Sequence, residues 1–89
     1  MQNDKKLQLN SNITILDRGK RIDIAVKEEN NITLNALAAV IFRLIREEKR
    51  RQEIIQYILS EYDIDQEIVE KDIDELIDKL KNYKVIING

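Results

Sequence analysis

The chain has 89 residues, and its 15 Lys and Arg against 17 Asp and Glu give a formal net charge of −2. It contains no Cys, His, Trp or Pro, which excludes disulfides, zinc and iron–sulfur centres, and catalysis by a cysteine or histidine side chain. The length predicts one small domain over residues 1–89, and the 43% hydrophobic content favours a thin aliphatic core.

The first third of the chain has the pattern of short β-strands, with apolar and β-branched runs separated by turn signals. Residues 7–9 alternate in polarity before the first of these runs. The turn signals are residues 17–20, which include Gly19, and residues 28–31. The runs predict a three-stranded antiparallel meander made of residues 13–16, 22–26 and 32–34.

The next part of the chain is predicted to be helical. Asn35 is a suitable N-cap for a helix over residues 36–46, which is apolar on both flanks and is therefore expected to be the central helix. Residues 51–61 place four isoleucine and leucine side chains on one face. The intervening residues 47–50 contain no Gly, Pro or capping residue, so the sequence leaves open whether residues 36–61 form two helices or one.

A third helix is predicted from residue 66 to about residue 82, with Asp65 as its N-cap and Glu67 and Glu70 placed to favour the helix dipole. Its core stripe consists of Val69, Ile73, Leu76, Ile77 and Leu80. The apolar residues 85–87 that follow either lie against the core or add a strand. The predicted fold class is α+β and similar to a winged helix-turn-helix, with a three-stranded antiparallel sheet followed by three helices.

No group of residues in the sequence has a catalytic pattern. Asp63, Asp65 and Glu67 have the spacing of the first ligands of a calcium-binding loop. Ile68, however, occupies the position at which that loop requires glycine for its sharp turn. We therefore expect a protein that is not an enzyme and that binds no cofactor or metal ion.

The charge pattern argues against nucleic acid as a partner. Residues 43–51 contain five basic and two acidic side chains, whereas residues 61–78 contain nine acidic and one basic. In a DNA-binding winged helix, the acidic third helix would enter the major groove and repel the phosphates. A winged-helix DNA-binding regulator is the alternative function that we keep.

The sequence also lacks features of a membrane or secreted protein. The first six residues contain no apolar segment of the kind found in a secretory signal. The longest apolar stretch, residues 36–42, is far too short to span a bilayer. We therefore expect a cytoplasmic protein that does not have a membrane as its partner.

Two features predict a surface that binds a peptide. The third strand is expected at an edge of the sheet, where its free N–H and C=O groups can pair with an added strand. Ile68 falls outside the core stripe of the third helix, on a flank that it shares with Asp72, Glu75 and Lys79. This flank is expected to form one side of a groove; the alternative is that Ile68 only packs on the start of its helix.

Three stretches of the sequence resemble the PqqD-like family. They are NITLNALAAVIFRL at residues 31–44, Glu-Ile-Ile at residues 53–55 and EYDIDQEIVEKDI at residues 61–73. The likeness covers nearly the whole chain, about residues 7–87, which we also expect to be the ordered core of the domain. Its most specific parts are the step from strand to helix at residues 33–38 and the start of the third helix.

The resemblance implies a precursor-peptide recognition element of ribosomally synthesised, post-translationally modified peptides, such as lasso peptides or pyrroloquinoline quinone. Members bind the leader region of a precursor peptide, which adds as a strand to the third strand and packs on the third helix. They deliver it to a separate protease, cyclase, radical enzyme or other tailoring enzyme. The resemblance and the helix flank together assign peptide binding to Asn31, Ile32, Thr33, Leu34, Ile68, Val69, Asp72, Ile73, Leu76 and Lys79.

Overall fold

The computed structural model describes residues 7–27 and 31–88. Within them, the elements are β1 (Gln8–Leu9), β2 (Ile13–Asp17), β3 (Ile22–Val26), β4 (Asn31–Leu34), α1 (Ala36–Arg46), α2 (Arg51–Glu61), α3 (Gln66–Asn82) and β5 (Ile86–Asn88). The predicted α+β class is confirmed, with the three strands β2, β3 and β4 followed by three helices. The turn predicted at residues 28–31 lies outside the described residues, except for Asn31, which begins β4.

The main sheet has the strand order β2-β3-β4, and β3 pairs antiparallel with both neighbours. Asp17 lies opposite Ile22 at the β2–β3 turn, and Ile22 lies opposite Leu34 across β3 and β4. Gly19 in the turn has a φ of 85°, a conformation that glycine adopts without steric cost. Alternate residues of β3 and β4 are buried, so one face of the sheet packs on the helices while the other meets solvent.

Arg43 of α1 ties the β2–β3 turn to the helices. Its guanidinium donates hydrogen bonds of 2.7 Å to each carboxylate oxygen of Asp17 and a further one to the Gly19 carbonyl. The Gly19 N–H also donates to Asp17 at 2.9 Å. These donors, Arg43 first, hold the pKa of Asp17 well below its usual range. The sheet and the central helix are thereby joined by a bidentate ion pair.

A second carboxylate links the two strands on the solvent face. Asp23 of β3 accepts hydrogen bonds from Arg18 Nε at 2.7 Å and from Thr33 Oγ1 of β4 at 2.9 Å. The pKa of Asp23 is lowered mainly by the hydrogen bond from Arg18 and next by the hydrogen bond from Thr33. The bond to Thr33 adds a side-chain link between β3 and β4 to the main-chain pairing.

The helices and the inner face of the sheet enclose an apolar core, and no polar or charged residue of the described chain is buried. Four of the five residues of the predicted α3 stripe are buried, and Ile77 is half-buried. Burying such surface is worth roughly 25 cal/mol per Å². None of the helices in the described ranges is long and apolar enough to cross a membrane. The buried side chains belong to Ile22, Ile24, Val26, Ile32, Leu34, Ala39, Ile41, Phe42, Ile45, Ile54, Ile55, Ile58, Val69, Ile73, Leu76, Leu80, Val85 and Ile86.

The chain turns sharply between α1 and α2, so residues 36–61 form two helices and not the single helix that the sequence also allows. Glu48 has a left-handed φ of 64°, and the Lys49 N–H donates to the Leu44 carbonyl at 3.0 Å, as in a Schellman motif. At the start of α2, the Arg50 N–H donates to Glu53 Oε1 at 2.7 Å. Glu53 therefore acts as the N-terminal signal of α2, in the way that the acidic residue of a capping box does.

Helix α3 ends with the same type of turn, and the chain then returns as a strand. Lys84 has a φ of 66°, and the Val85 N–H donates to the Leu80 carbonyl at 2.8 Å. Val85 and Ile86 are buried, and β5 pairs antiparallel with β1. The apolar tail thus packs on the core and also adds a strand, which are the two alternatives that the sequence leaves open.

We expect Lys84→Gly to stabilise the protein by about 0.5–1 kcal/mol, because glycine adopts the left-handed conformation without the steric cost of a Cβ atom. The control is Lys71→Gly at an exposed position within α3, which should destabilise the protein by about 1 kcal/mol. Urea unfolding followed by circular dichroism measures both changes. A loss of stability in Lys84→Gly would contradict the left-handed turn.

Thr33→Val should raise the pKa of Asp23 towards its usual range, because valine suits the strand but donates no hydrogen bond. The pKa of Asp17 should stay low. Since the pKa of Asp23 is lowered by folding, its stabilising effect is present above the unfolded value of about 4 and is lost as the pH falls through the folded value. Carboxyl chemical shifts measured against pH test this, and an unchanged Asp23 titration would refute the link to Thr33.

Candidate peptide-binding site

Strand β4 provides a free edge of the main sheet. One side of it pairs with β3, from Asn31 opposite Ala25 to Leu34 opposite Ile22. Within the described residues, no strand pairs with its other side. An edge of unpaired N–H and C=O groups is a template for an extended peptide. The edge position expected for this strand is therefore confirmed.

The side chains of β4 divide between the two faces of the sheet. Ile32 and Leu34 point into the core and are buried, whereas Asn31 and Thr33 are exposed on the solvent face. A strand that paired with β4 would alternate in the same way, with every second side chain on the helix side. For the four residues predicted here, the structure therefore exposes the backbone along the free edge, together with the side chains of Asn31 and Thr33 on the solvent face.

A single residue, Asn35, separates β4 from α1. Its Oδ1 accepts a hydrogen bond from the Ala38 N–H at 2.9 Å, so the predicted N-cap is confirmed. Because nothing else intervenes, the first turn of α1 lies at the end of the edge strand. The sequence thus places a helix terminus directly beside the strand that is available for pairing.

A cleft of about 250 Å³ opens between the start of α1 and the middle of α3. We call it the α1–α3 cleft. Its lining includes buried apolar side chains, such as Ile41 and Leu76, and charged side chains from α3. The volume is smaller than the roughly 300–1,000 Å³ of typical small-molecule sites. The lining residues are Asn35, Leu37, Ala38, Ile41, Asp72, Glu75, Leu76 and Lys79.

The six predicted residues of α3 lie in three different environments. Asp72, Leu76 and Lys79 line the α1–α3 cleft. Ile68 is 50% exposed and lies one helical turn before Asp72, on the same flank. The remaining two, Val69 and Ile73, are buried in the core beneath this flank. The structure therefore brings three of the six into the cleft and a fourth next to it.

The α1 side of the cleft is missing from the sequence prediction. Leu37, Ala38 and Ile41 have the periodicity of core residues in a central helix, and that pattern does not show that a face of them stays open. The sequence places Glu75 on the flank of α3 that lines the cleft, but the sequence prediction does not include Glu75 among the site residues. The available signal was Asn35, because a cap directly after an edge strand brings the first turn of the helix to that edge.

Two larger clefts lie elsewhere on the described chain. One of about 490 Å³ is formed between the end of α1 and α2, beside Leu44 and Tyr57. Another of about 420 Å³ lies on the solvent face of the sheet and is lined in part by residues 31–33. We take the smaller α1–α3 cleft as the candidate site because the helix flank that contains Ile68 and Asp72 lies there. Within residues 7–27 and 31–88, no group of three or more acidic side chains is arranged to hold a metal ion.

The charge of α3 does not support the DNA-binding alternative. The helix contains six acidic and three basic residues, and Glu67, Asp74, Glu75 and Asp78 are exposed. A helix that enters the major groove must meet closely spaced phosphate charges. The exposed surface of α3 would repel those charges.

The fold is similar to that of solved structures over most of its length. TbiB1 in complex with the TbiA(beta) leader peptide has a TM-score of 0.81 and 22% identity, over 89% of this chain and 93% of that chain. Lasso peptide synthetase B1 complexed with the leader peptide has a TM-score of 0.84 and 20% identity, over 92% of this chain and 98% of that chain. At such identities the likeness establishes the fold. No curated protein sequence matches the chain significantly.

A protein-family comparison covers the same part of the molecule. The family model described as coenzyme PQQ synthesis protein D (PqqD) matches residues 16–86. The match extends from β2 into β5 and so includes β4, α3 and both sides of the α1–α3 cleft. It also confirms the resemblance noted in the stretches at residues 31–44 and 61–73. The chain therefore belongs to the PqqD family.

Proposed function

We propose that the chain is a non-catalytic binding module that captures the leader region of a ribosomal precursor peptide. The leader adds as a strand to the free edge of β4 and packs against α3. This proposal rests on one observation, which is that the free edge ends at a partly apolar cleft beside α3. Membership of the PqqD family supports it, as do the leader peptides bound in both similar structures.

The physical basis of selectivity lies in the cleft rather than in the strand edge. Main-chain hydrogen bonds to β4 are open to any extended peptide, so side chains that enter pockets must distinguish one leader from another. Leu37, Ile41 and Leu76 offer apolar surface for such side chains. Because ordering a flexible leader costs free energy, a few buried anchors must dominate the affinity.

The ten predicted residues have three roles in this proposal. The backbone of Asn31–Leu34 pairs with the leader. Val69 and Ile73 hold α3 in place from the core side, since both are buried. The side chains that contact the leader are Ile68, Asp72, Leu76 and Lys79.

The bound leader holds the rest of the precursor near a separate tailoring enzyme, such as a protease, a cyclase or a radical enzyme. The module itself uses no cofactor, and neither nucleic acid nor a membrane takes part. We place this work in the cytoplasm, because a chain without Cys does not need an oxidising compartment.

The direct test is a titration of the purified protein into a fluorescently labelled leader peptide of the precursor encoded beside it. Unlabelled leader peptide, unlabelled core peptide and a DNA duplex serve as competitors. Saturable binding that only the leader competes for supports the proposal. Absence of binding by the folded protein, or competition by the duplex that weakens with salt, would refute it.

Filling the α1–α3 cleft should weaken leader binding. Ala38→Phe places a ring at a half-buried position in the cleft, and we expect the Kd to rise at least about 10-fold because the ring occupies the space of an anchor. Ala36→Phe is the matched control, since Ala36 is exposed, lies in the same helical turn and does not line the cleft. Equal affinities of the two variants, with thermal unfolding confirming both folds, would remove the cleft from the site.

Two exposed isoleucines allow a second comparison. Ile68 on α3 is 50% exposed and Ile87 on β5 is 57% exposed, so either can be replaced by Asn with little loss of core packing. We expect Ile68→Asn to weaken leader binding roughly 3- to 10-fold through lost apolar contact, and Ile87→Asn to change it less than about 2-fold. Fluorescence anisotropy measures both affinities. If both variants bind as the wild type does, Ile68 only packs on the start of its helix.

A further inference from the structure

The charged side chains of the α1–α3 cleft have no partner within the described chain. Asp72, Glu75 and Lys79 form no side-chain hydrogen bond or ion pair there. On the same helix, by contrast, Asp74 pairs with Arg51 of α2 through two hydrogen bonds of 2.9 Å. The helix thus uses one carboxylate to bind its neighbour and leaves two others at the rim of the cleft.

The three charged residues follow Ile68 at fixed spacings along the helix. Ile68, Asp72, Glu75 and Lys79 are spaced by four, three and four residues, so they lie on one flank of α3. Residues three apart on a helix have Cβ atoms about 5–6 Å apart, so the two carboxylates can face a single cation. Lys79 stands at the other end of the row, where it repels a cation and favours an acidic or polar group.

The geometry of an added strand determines what meets this row. Side chains on the same side of a strand recur every two residues, or about 6–7 Å. If one of them enters the apolar part of the cleft at Leu37 and Leu76, the next on that side reaches the rim. Two unpaired carboxylates there favour a cationic side chain and disfavour an acidic one.

We propose, on the basis of the leader-binding function proposed above, that the leader presents a Lys or Arg side chain to Asp72 and Glu75. This basic residue lies two positions along the leader from the apolar residue that enters the α1–α3 cleft. The recognised segment is therefore an apolar–x–basic sequence in extended conformation. The apolar residue supplies most of the binding free energy, and the basic residue sets the register and excludes acidic segments.

The test is a double-mutant cycle between the full-length protein and the labelled leader peptide, measured by fluorescence anisotropy. Asp72→Asn together with Glu75→Gln removes both rim charges without changing side-chain size. The matched control is Glu67→Gln together with Asp78→Asn, which makes the same charge change at exposed positions of α3 outside the cleft. Leader variants with each Lys or Arg replaced singly by Gln complete the cycle.

We expect the rim variant to bind the leader about 3- to 10-fold more weakly at low salt and the control to change less than about 2-fold. One basic leader position should matter for the wild type but not for the rim variant, and the difference should shrink at high salt. Equal effects of the rim and control variants, or no coupled leader position, would overturn this inference while leaving leader capture intact. Failure of the wild type to bind any leader peptide would overturn both.

Discussion

The position of the candidate site depends on the one-residue connection between β4 and α1. Leu34 before it is buried in the core, so the strand cannot slip by one residue without moving its apolar side chains to solvent. Asn35 caps the helix with a hydrogen bond of 2.9 Å to the Ala38 N–H, which fixes where the helix begins. Because the register of β4 and the start of α1 are both fixed, the free edge of the sheet and the first turn of α1 form two adjoining surfaces.

Helix α3 completes the candidate site because two neighbouring strips of its surface have different roles. One strip, which includes Val69, Ile73 and Leu80, packs in a core that contains no buried polar residue in the described chain. The adjacent strip places Asp72 and Lys79 along the cleft. The core packing thereby fixes the rotation of the helix, and with it the position of the strip that lines the cleft. In the proposed function, a cleft fixed in this way lowers the ordering cost of binding, so that this cost falls mainly on the flexible leader.

Much of the fold can be predicted from local patterns. The two-residue period of β3 and the apolar stripe of α3 report which face is buried, and Asn35 reports where α1 begins. The break between α1 and α2 is harder to predict because Glu48 takes a left-handed conformation without being glycine. The side chain of Glu53 accepts a hydrogen bond from the N–H of Arg50, the N-cap residue of α2. Such a glutamate is a weak signal when the N-cap residue is not Ser, Thr or Asp.

The sequence by itself determined the composition of the core, the order of strands and helices, and the flank of α3 on which Ile68 and Asp72 lie. These are local properties, since periodicity along one element states which residues share a face. The tertiary structure alone decided that α1 supplies the opposite side of the cleft and that Arg43 binds the β2–β3 turn. Both features join residues about 25 or more positions apart in the chain. Only the packing of whole elements sets such distances, and periodicity within one element contains no information about its neighbour.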